Sequence, residues 1–255
     1  MKNNIPTNYK LTDYKDHKAK VMINLERKIK ILTFISDNSW STVTNVQSLI
    51  GVGQRSSAMR ILTNLVENNK LTIKQIQVNK VTHNIYMITR LGSLLISREH
   101  NKYQYRLCAQ MFLHNSAVQQ LQIMSLNSGC SWINEHEIIR SKKFRSQPDG
   151  LLVLPNDSGL DKISIEFQRH RMSKDRLKEK VRRCLADSLN KHFNLVLYIC
   201  ADNLTAKMMA RLFNSIQSVK DKNGLEIDLT PEYRSRFEFI NLSEFSEYLK
   251  SRLST

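Results

Sequence analysis

Two acids in this chain sit where acids are costly or structurally marked. Asp149 lies inside Pro148-Asp149-Gly150, at the mouth of an apolar run, and Glu166 lies in the middle of Ile163-Ser-Ile-Glu-Phe-Gln168. Alternate residues of a strand face the same side, so Glu166 and Gln168 share one surface while Ile163, Ile165 and Phe167 share the other. A carboxylate in a buried strand needs a partner or a metal. A turn-like segment, Pro155 to Gly159, separates the two acids, so they can converge on one side of a hairpin and offer oxygens to a hard cation. Mg²⁺ takes one or two carboxylates together with water and phosphate oxygens, which suits phosphodiester cleavage. Read alone, a Pro-Asp…Glu-x-Gln pattern more often marks a turn and a surface hairpin than a site.

The residues beyond the second acid add weight. Ser173 is placed to cap a helix, and Leu177, Val181, Cys184, Leu185 and Ser188 or Leu189 recur at helical spacing behind it. Lys174 falls near the edge of that apolar face, from which it could reach the carboxylates; Arg182 and Arg183 point away and read as a solvated basic face. Upstream, Cys130-Ser-Trp-Ile-Asn-Glu135 reads as a short strand ending in a further acid, with Glu137 a competing choice. Between it and Asp149, Arg140, Lys142, Lys143 and Arg145 form a basic loop with two readings, a grip on phosphates beside the scissile bond or a solubilising loop.

These residues resemble the restriction-endonuclease-like fold with its PD-(D/E)xK site. More narrowly, Trp132-x-x-Glu135, Pro148-Asp149-Gly150 and Ile165-Glu166-x-Gln168, continued by Ser173, Lys174 and Arg176, resemble MobC-type plasmid mobilisation relaxases and the wider replication-relaxation group. The resemblance spans most of the chain, because that group also carries a winged helix in front. It implies that Asp149 and Glu166 bind Mg²⁺ or Mn²⁺, with Glu135 as a third acidic residue. Gln168 then stands where the nuclease pattern has lysine; glutamine can orient water but carries no charge, so either Lys174 supplies the positive charge or the chemistry is weakened.

The 255 residues suffice for one large domain or two modest ones. Thirty-nine Lys and Arg against 23 Asp and Glu give a net charge of +16 and imply an anionic partner, nucleic acid before membrane. Cys108, Cys130, Cys184 and Cys200 show no zinc-ligand spacing and read as reduced thiols of a cytoplasmic protein. No signal segment or membrane span is expected.

In chain order, residues 1–20 read as a flexible basic arm carrying Tyr9 and Tyr14, which are candidates for DNA contact rather than for nucleophilic attack. A helix over about 21–35 is followed by a short helix to Gly51 and a third from Gln54 to Asn68, and these last two, joined by a glycine turn, form a helix-turn-helix. The outward face of the third carries Ser57, Arg60 and Asn64, with Arg55 near its start, suited to phosphates and base edges in a major groove. Strands over 71–78 and 85–89, joined by a basic turn containing Lys80, complete a winged helix over 21–98.

A linker at 98–102 leads to the second domain, over 103–255. It opens on a long helix, 103–126, whose apolar stripe includes His114, read as a satisfied core histidine. An apolar run at 193–200 suits a central strand, followed by a helix, a last strand near 236–240 and a terminal helix. The order is that of an α/β (α+β) sheet covered on both faces.

Together with these elements, the resemblance to mobilisation relaxases implies a relaxase. Its winged helix selects a plasmid transfer origin, its nuclease-like domain nicks one strand, and accessory relaxosome or coupling proteins assist. Two rivals stand beside it: a non-catalytic DNA-binding regulator or replication initiator on a nuclease-like scaffold, and a restriction or transposition nuclease that cuts both strands.

Overall fold

The computed structural model describes residues 11–98, 108–156, 159–221 and 223–254. The chain divides into two compact units, Met1–Leu107 and Cys108–Thr255.

The first unit opens with helix α1, Leu11–Asn38, and the two-residue strand β1, Ser41–Thr42. The expected arm is thus helical from Leu11 onward, while its first ten residues, Tyr9 among them, lie outside the described residues. Thr42 caps α2, Val43–Leu49, its side chain accepting from the Asn45 amide. Gly51, at φ 63°, turns the chain towards α3, Arg55–Glu67, which buries Ala58, Ile61, Leu62 and Leu65 at the spacing of one helical face. Strands β2, Leu71–Val78, and β3, Val81–Ile88, then pair in antiparallel register, and β1 adds to the far edge of β3.

The hairpin is tighter than the sequence suggested, because β3 begins at Val81 and the turn is only Asn79-Lys80. Both residues have positive φ, 49° and 65°, the geometry that lets a two-residue loop match the twist of its strands. Helix α4, Arg90–Leu95, is capped by Thr89, whose hydroxyl also donates towards the Asn69 and Lys70 carbonyls. Gly92 makes this approach possible, since a Cβ there would stand 2.2 Å from the Lys70 carbonyl oxygen. Arg98 pairs with Asp37. The remainder of the expected linker, and residues 103–107 of the expected long helix, lie outside the described residues.

The second unit is a mixed α/β structure. Helix α5, Ala109–Asn127, leads to β4, Ser131–Asn134, and to the short helix α6, Glu135–Ser141. Strands β5, Gly150–Asn156, and β6, Gly159–Gln168, form an antiparallel pair; α7, Lys174–Leu189, then crosses to β7, Leu195–Cys200. Next come α8, Asn203–Asn214, the small antiparallel pair β8, Ser218–Lys220, and β9, Glu226–Asp228, and the turn helix α9, Pro231–Arg234. Strand β10, Phe237–Asn241, and helix α10, Phe245–Leu253, complete the chain.

The main sheet runs β10-β7-β6-β5-β4, parallel from β10 to β6 and antiparallel from β6 to β4. All six residues of β7 are buried, as befits an inner strand covered on both faces. On one face Val196, Tyr198 and Cys200 pack with Leu177, Val181 and Cys184 of α7 and with residues of α8. On the other, Ile163, Ile165, Phe167 and Leu197 pack with Leu121 of α5 and with Phe245 and Leu249 of α10.

Candidate active site

The alternation of β6 decides where its polar residues go. Its odd-numbered apolar side chains fill the α5/α10 core, so Ser164, Glu166 and Gln168 face α7. Glu166 is 1% exposed. Asp149 stands immediately before β5, one step beyond the Gly150–Ile165 pair, and its amide donates to the Ile165 carbonyl at 3.0 Å. The two acids are thereby brought to the same edge of the hairpin. On the other side of β5, Gly150 leaves room for the Trp132 ring of β4, which a Cβ at that position would meet at 2.2 Å.

Each carboxylate already has neighbours. Asp149 Oδ2 accepts from the Phe167 amide at 2.7 Å, and Oδ1 lies 3.0 Å from His114 Nε2. Lys180 Nζ lies 2.9 Å from Glu166 Oε1. The same ammonium donates to the Ser146 and Gln147 carbonyls at 3.2 and 3.3 Å.

The lysine beside the acids is therefore Lys180, two turns into α7, and not Lys174. Lys174 is exposed at the first residue of the helix. It precedes the first buried residue of α7, Leu177, by almost a full turn, and helical side chains lean towards the helix N-terminus, so its chain is carried off the end of the sheet. Lys180 is three residues after Leu177 and four before Cys184, both buried, and this spacing holds it beside the packed face. Two more expectations need correction. His114 is a satisfied histidine, but its partner is Asp149 at the cavity wall and it is not confined to the core. Glu135 is the first residue of α6 rather than the last of a strand.

An open cavity of about 750 Å³ contains this group. His114, Glu135, Asp149, Glu166, Gln168 and Lys180 all line it, and Arg169, Arg171, Arg176 and Arg183 stand around them. None of Lys174, Arg140, Lys142, Lys143 and Arg145 is among the lining residues. The basic loop is held in place through its backbone. Buried Asp187 of α7 accepts from the Arg145 amide at 3.0 and 2.9 Å and from the Ser146 amide at 2.8 Å, and it accepts from the Ser146 hydroxyl at 2.6 Å. This orders the stretch whose carbonyls receive Lys180. In the first unit Arg55, Arg60 and Lys80 are exposed and Ser57 and Asn64 half-buried; Arg55 also donates to the Thr44 hydroxyl at 3.2 Å.

Electrostatically the acids oppose one another. Burial pushes the Glu166 carboxyl up to about 8, with Lys180 drawing it down and Asp149 adding to the rise. Burial and then the Asp149 charge raise Glu135 as well. Burial disfavours the imidazolium of His114, but the hydrogen bond and charge of Asp149 outweigh it and raise the group. For Lys180, likewise, burial opposes the charge and the Glu166 carboxylate prevails.

The donor chemistry fits a hard divalent cation. Asp149 and Glu166 present two carboxyl groups at the wall of an open cavity, which suits an ion that completes its shell with water and phosphate oxygens. It does not fit an all-protein cage, since among the described residues no three His, Cys, Asp or Glu side chains converge as a metal group. No helix among the described residues is long and apolar enough to cross a membrane. No family model matches the sequence, and no curated protein or solved structure matches it either.

Proposed function

We propose that the second unit is a metal-dependent phosphodiesterase of the restriction-endonuclease-like kind, that the first is a winged helix binding duplex DNA, and that together they act as a plasmid mobilisation relaxase nicking one strand at a transfer origin. The observation that carries the reading is the meeting of Asp149, Glu166 and Lys180 in one cavity: two acids from adjoining strands and a cation at 2.9 Å from the second. Lysine is missing from the strand position at Gln168, and a lysine from the neighbouring helix stands in the same site.

Bound Mg²⁺ or Mn²⁺ would supply Lewis acidity to the phosphoryl oxygens and acidify water at neutral pH. Asp149 and Glu166 would hold such an ion, the Glu166 carboxyl releasing its proton as the ion binds. Lys180 is placed to stabilise charge developing on the phosphate, and the Ser146 and Gln147 carbonyls fix its direction. Gln168 orients water through its amide, and Glu135 adds a further carboxylate at the wall. Accessory relaxosome or coupling proteins belong to the same proposal.

A second reading has an observation in its favour. Both oxygens of Asp149 are engaged and Glu166 is paired with Lys180, a network that is coherent as the scaffold of a non-catalytic DNA binder. One experiment separates the two. Purified protein is incubated with negatively supercoiled plasmid DNA and Mg²⁺ or Mn²⁺, beside Glu166→Gln. Nicked circles from the wild type, reduced at least about 10²-fold in the variant, support the enzyme; equal nicking by both, or none by either with DNA still bound, overturns it. Linear product would instead favour a nuclease that cuts both strands, and protein recovered on a cleaved end would support the relaxase.

A further inference from the structure

The cavity carries more positive charge than its acids use. Lys180 is paired with Glu166, and Arg183 with Glu179 at 2.7 Å. Among the described residues, Arg169, Arg171 and Arg176 make no side-chain hydrogen bond or ion pair, although all three line the cavity. Arg169 and Arg171 leave the end of β6 immediately beyond Gln168, and Arg176 stands in the first turn of α7. They line the same cavity as the acidic group from two successive elements, Arg169 half-buried and Arg171 and Arg176 exposed. Guanidinium groups are weakly hydrated and match phosphate oxygens in pairs, and arginines left without carboxylates around a solvent-open cavity suit an anion supplied from outside. Arg140, in the last turn of α6, and Lys142, Lys143 and Arg145 beyond it are by contrast not among the residues that line the cavity.

We infer that Arg169, Arg171 and Arg176 form a clamp for the phosphodiester backbone on either side of the scissile phosphate, a role that the basic loop does not perform. The inference rests on the reading of this cavity as a phosphodiester site. The clamp sets the position of the strand, and the acids with Lys180 act on the phosphate between its neighbours.

The test is the salt dependence of binding by the full chain, measured in EDTA so that no cleavage intervenes, on DNA and RNA duplexes and single strands. Wild type is compared with R169Q/R171Q/R176Q, with the charge-preserving R169K/R171K/R176K, and with R140Q/K142Q/K143Q/R145Q. Each lost phosphate contact reduces the slope of log K against log salt by about 0.9 on duplex DNA, so the glutamine triple should lose about 2.7. The lysine triple and the loop variant should stay within about one unit of wild type. The polymer on which the slope falls identifies the strand that is held.

An unchanged slope in the glutamine triple on every polymer overturns the clamp. So does an equal fall in the lysine triple, which would reflect altered structure, or a larger fall in the loop variant. Nicking assayed in parallel keeps the two proposals apart. A reduced slope with no nicking by wild type removes the enzyme and leaves the clamp, whereas nicking with an unchanged slope does the reverse.

Discussion

Lys180 and Lys174 sit on the same helix, one against a buried acid and the other in solvent, and their removal should differ accordingly. Lys180→Ala takes away the only cation in contact with Glu166 among the described residues and should lower the nicking rate about 10²–10³-fold, the usual loss for one preorganised stabilising group. Lys174→Ala should remain within a few-fold of wild type, as single-turnover nicking would read. Equal losses would return the role to the helix terminus. Glu166 also ties stability to pH. Its folded-state pKa is raised to about 8 from an ordinary 4.5, so the folded protein holds a proton that the unfolded chain releases. The associated stability is fully present below about pH 4.5 and is lost as pH rises towards 8. Urea unfolding in EDTA should show a decline across that window that Glu166→Gln flattens; an unchanged slope in the variant would assign the decline to other groups.

Among the elements, α7 carries the most. One of its faces packs on the sheet through Leu177, Val181 and Cys184, its flank presents Lys180 to Glu166, and its last turns bury Asp187, which holds the backbone of residues 145 and 146. Asp187→Ala would strand two amides and a hydroxyl, and should destabilise the protein by about 3 kcal/mol, measured as a lower denaturant midpoint. Because the held stretch also supplies the carbonyls that receive Lys180, nicking should fall with it. A fully stable variant would show that water satisfies those groups. The β5–β6 hairpin is the second essential element. Its register sets Asp149 beside Glu166, and a slip of one residue would turn Glu166 into the α5/α10 core.

For the molecule as a whole, charge is unevenly spread. Residues 1–107 hold 17 Lys and Arg against 6 Asp and Glu, while residues 108–255 hold 22 against 17. Non-specific affinity for duplex DNA should therefore come mainly from the first unit and be strongly screened. If about six to ten phosphates are contacted, binding should weaken by about 10³–10⁵ between about 50 and 200 mM salt. Fluorescence anisotropy on a random duplex measures this directly, and a loss under about tenfold would mean that the charge is not gathered on a DNA-facing surface.

Much of this was legible in the sequence because it depends on local period and local chemistry. Strand alternation placed Glu166 and Gln168 opposite Ile163, Ile165 and Phe167, Ser173 marked the start of α7, and the run at 193–200 marked a buried strand. Each is a property of consecutive residues. What tertiary structure alone decided is which distant side chains meet. Lys180 reaches Glu166, His114 reaches Asp149 across 35 positions and Asp187 holds residues 145 and 146, because strand register and helix rotation against the sheet convert small angular differences on a wheel into contact or exposure. Periodicity orders a chain along its own axis; the partners of a buried charge are fixed only when separate elements pack.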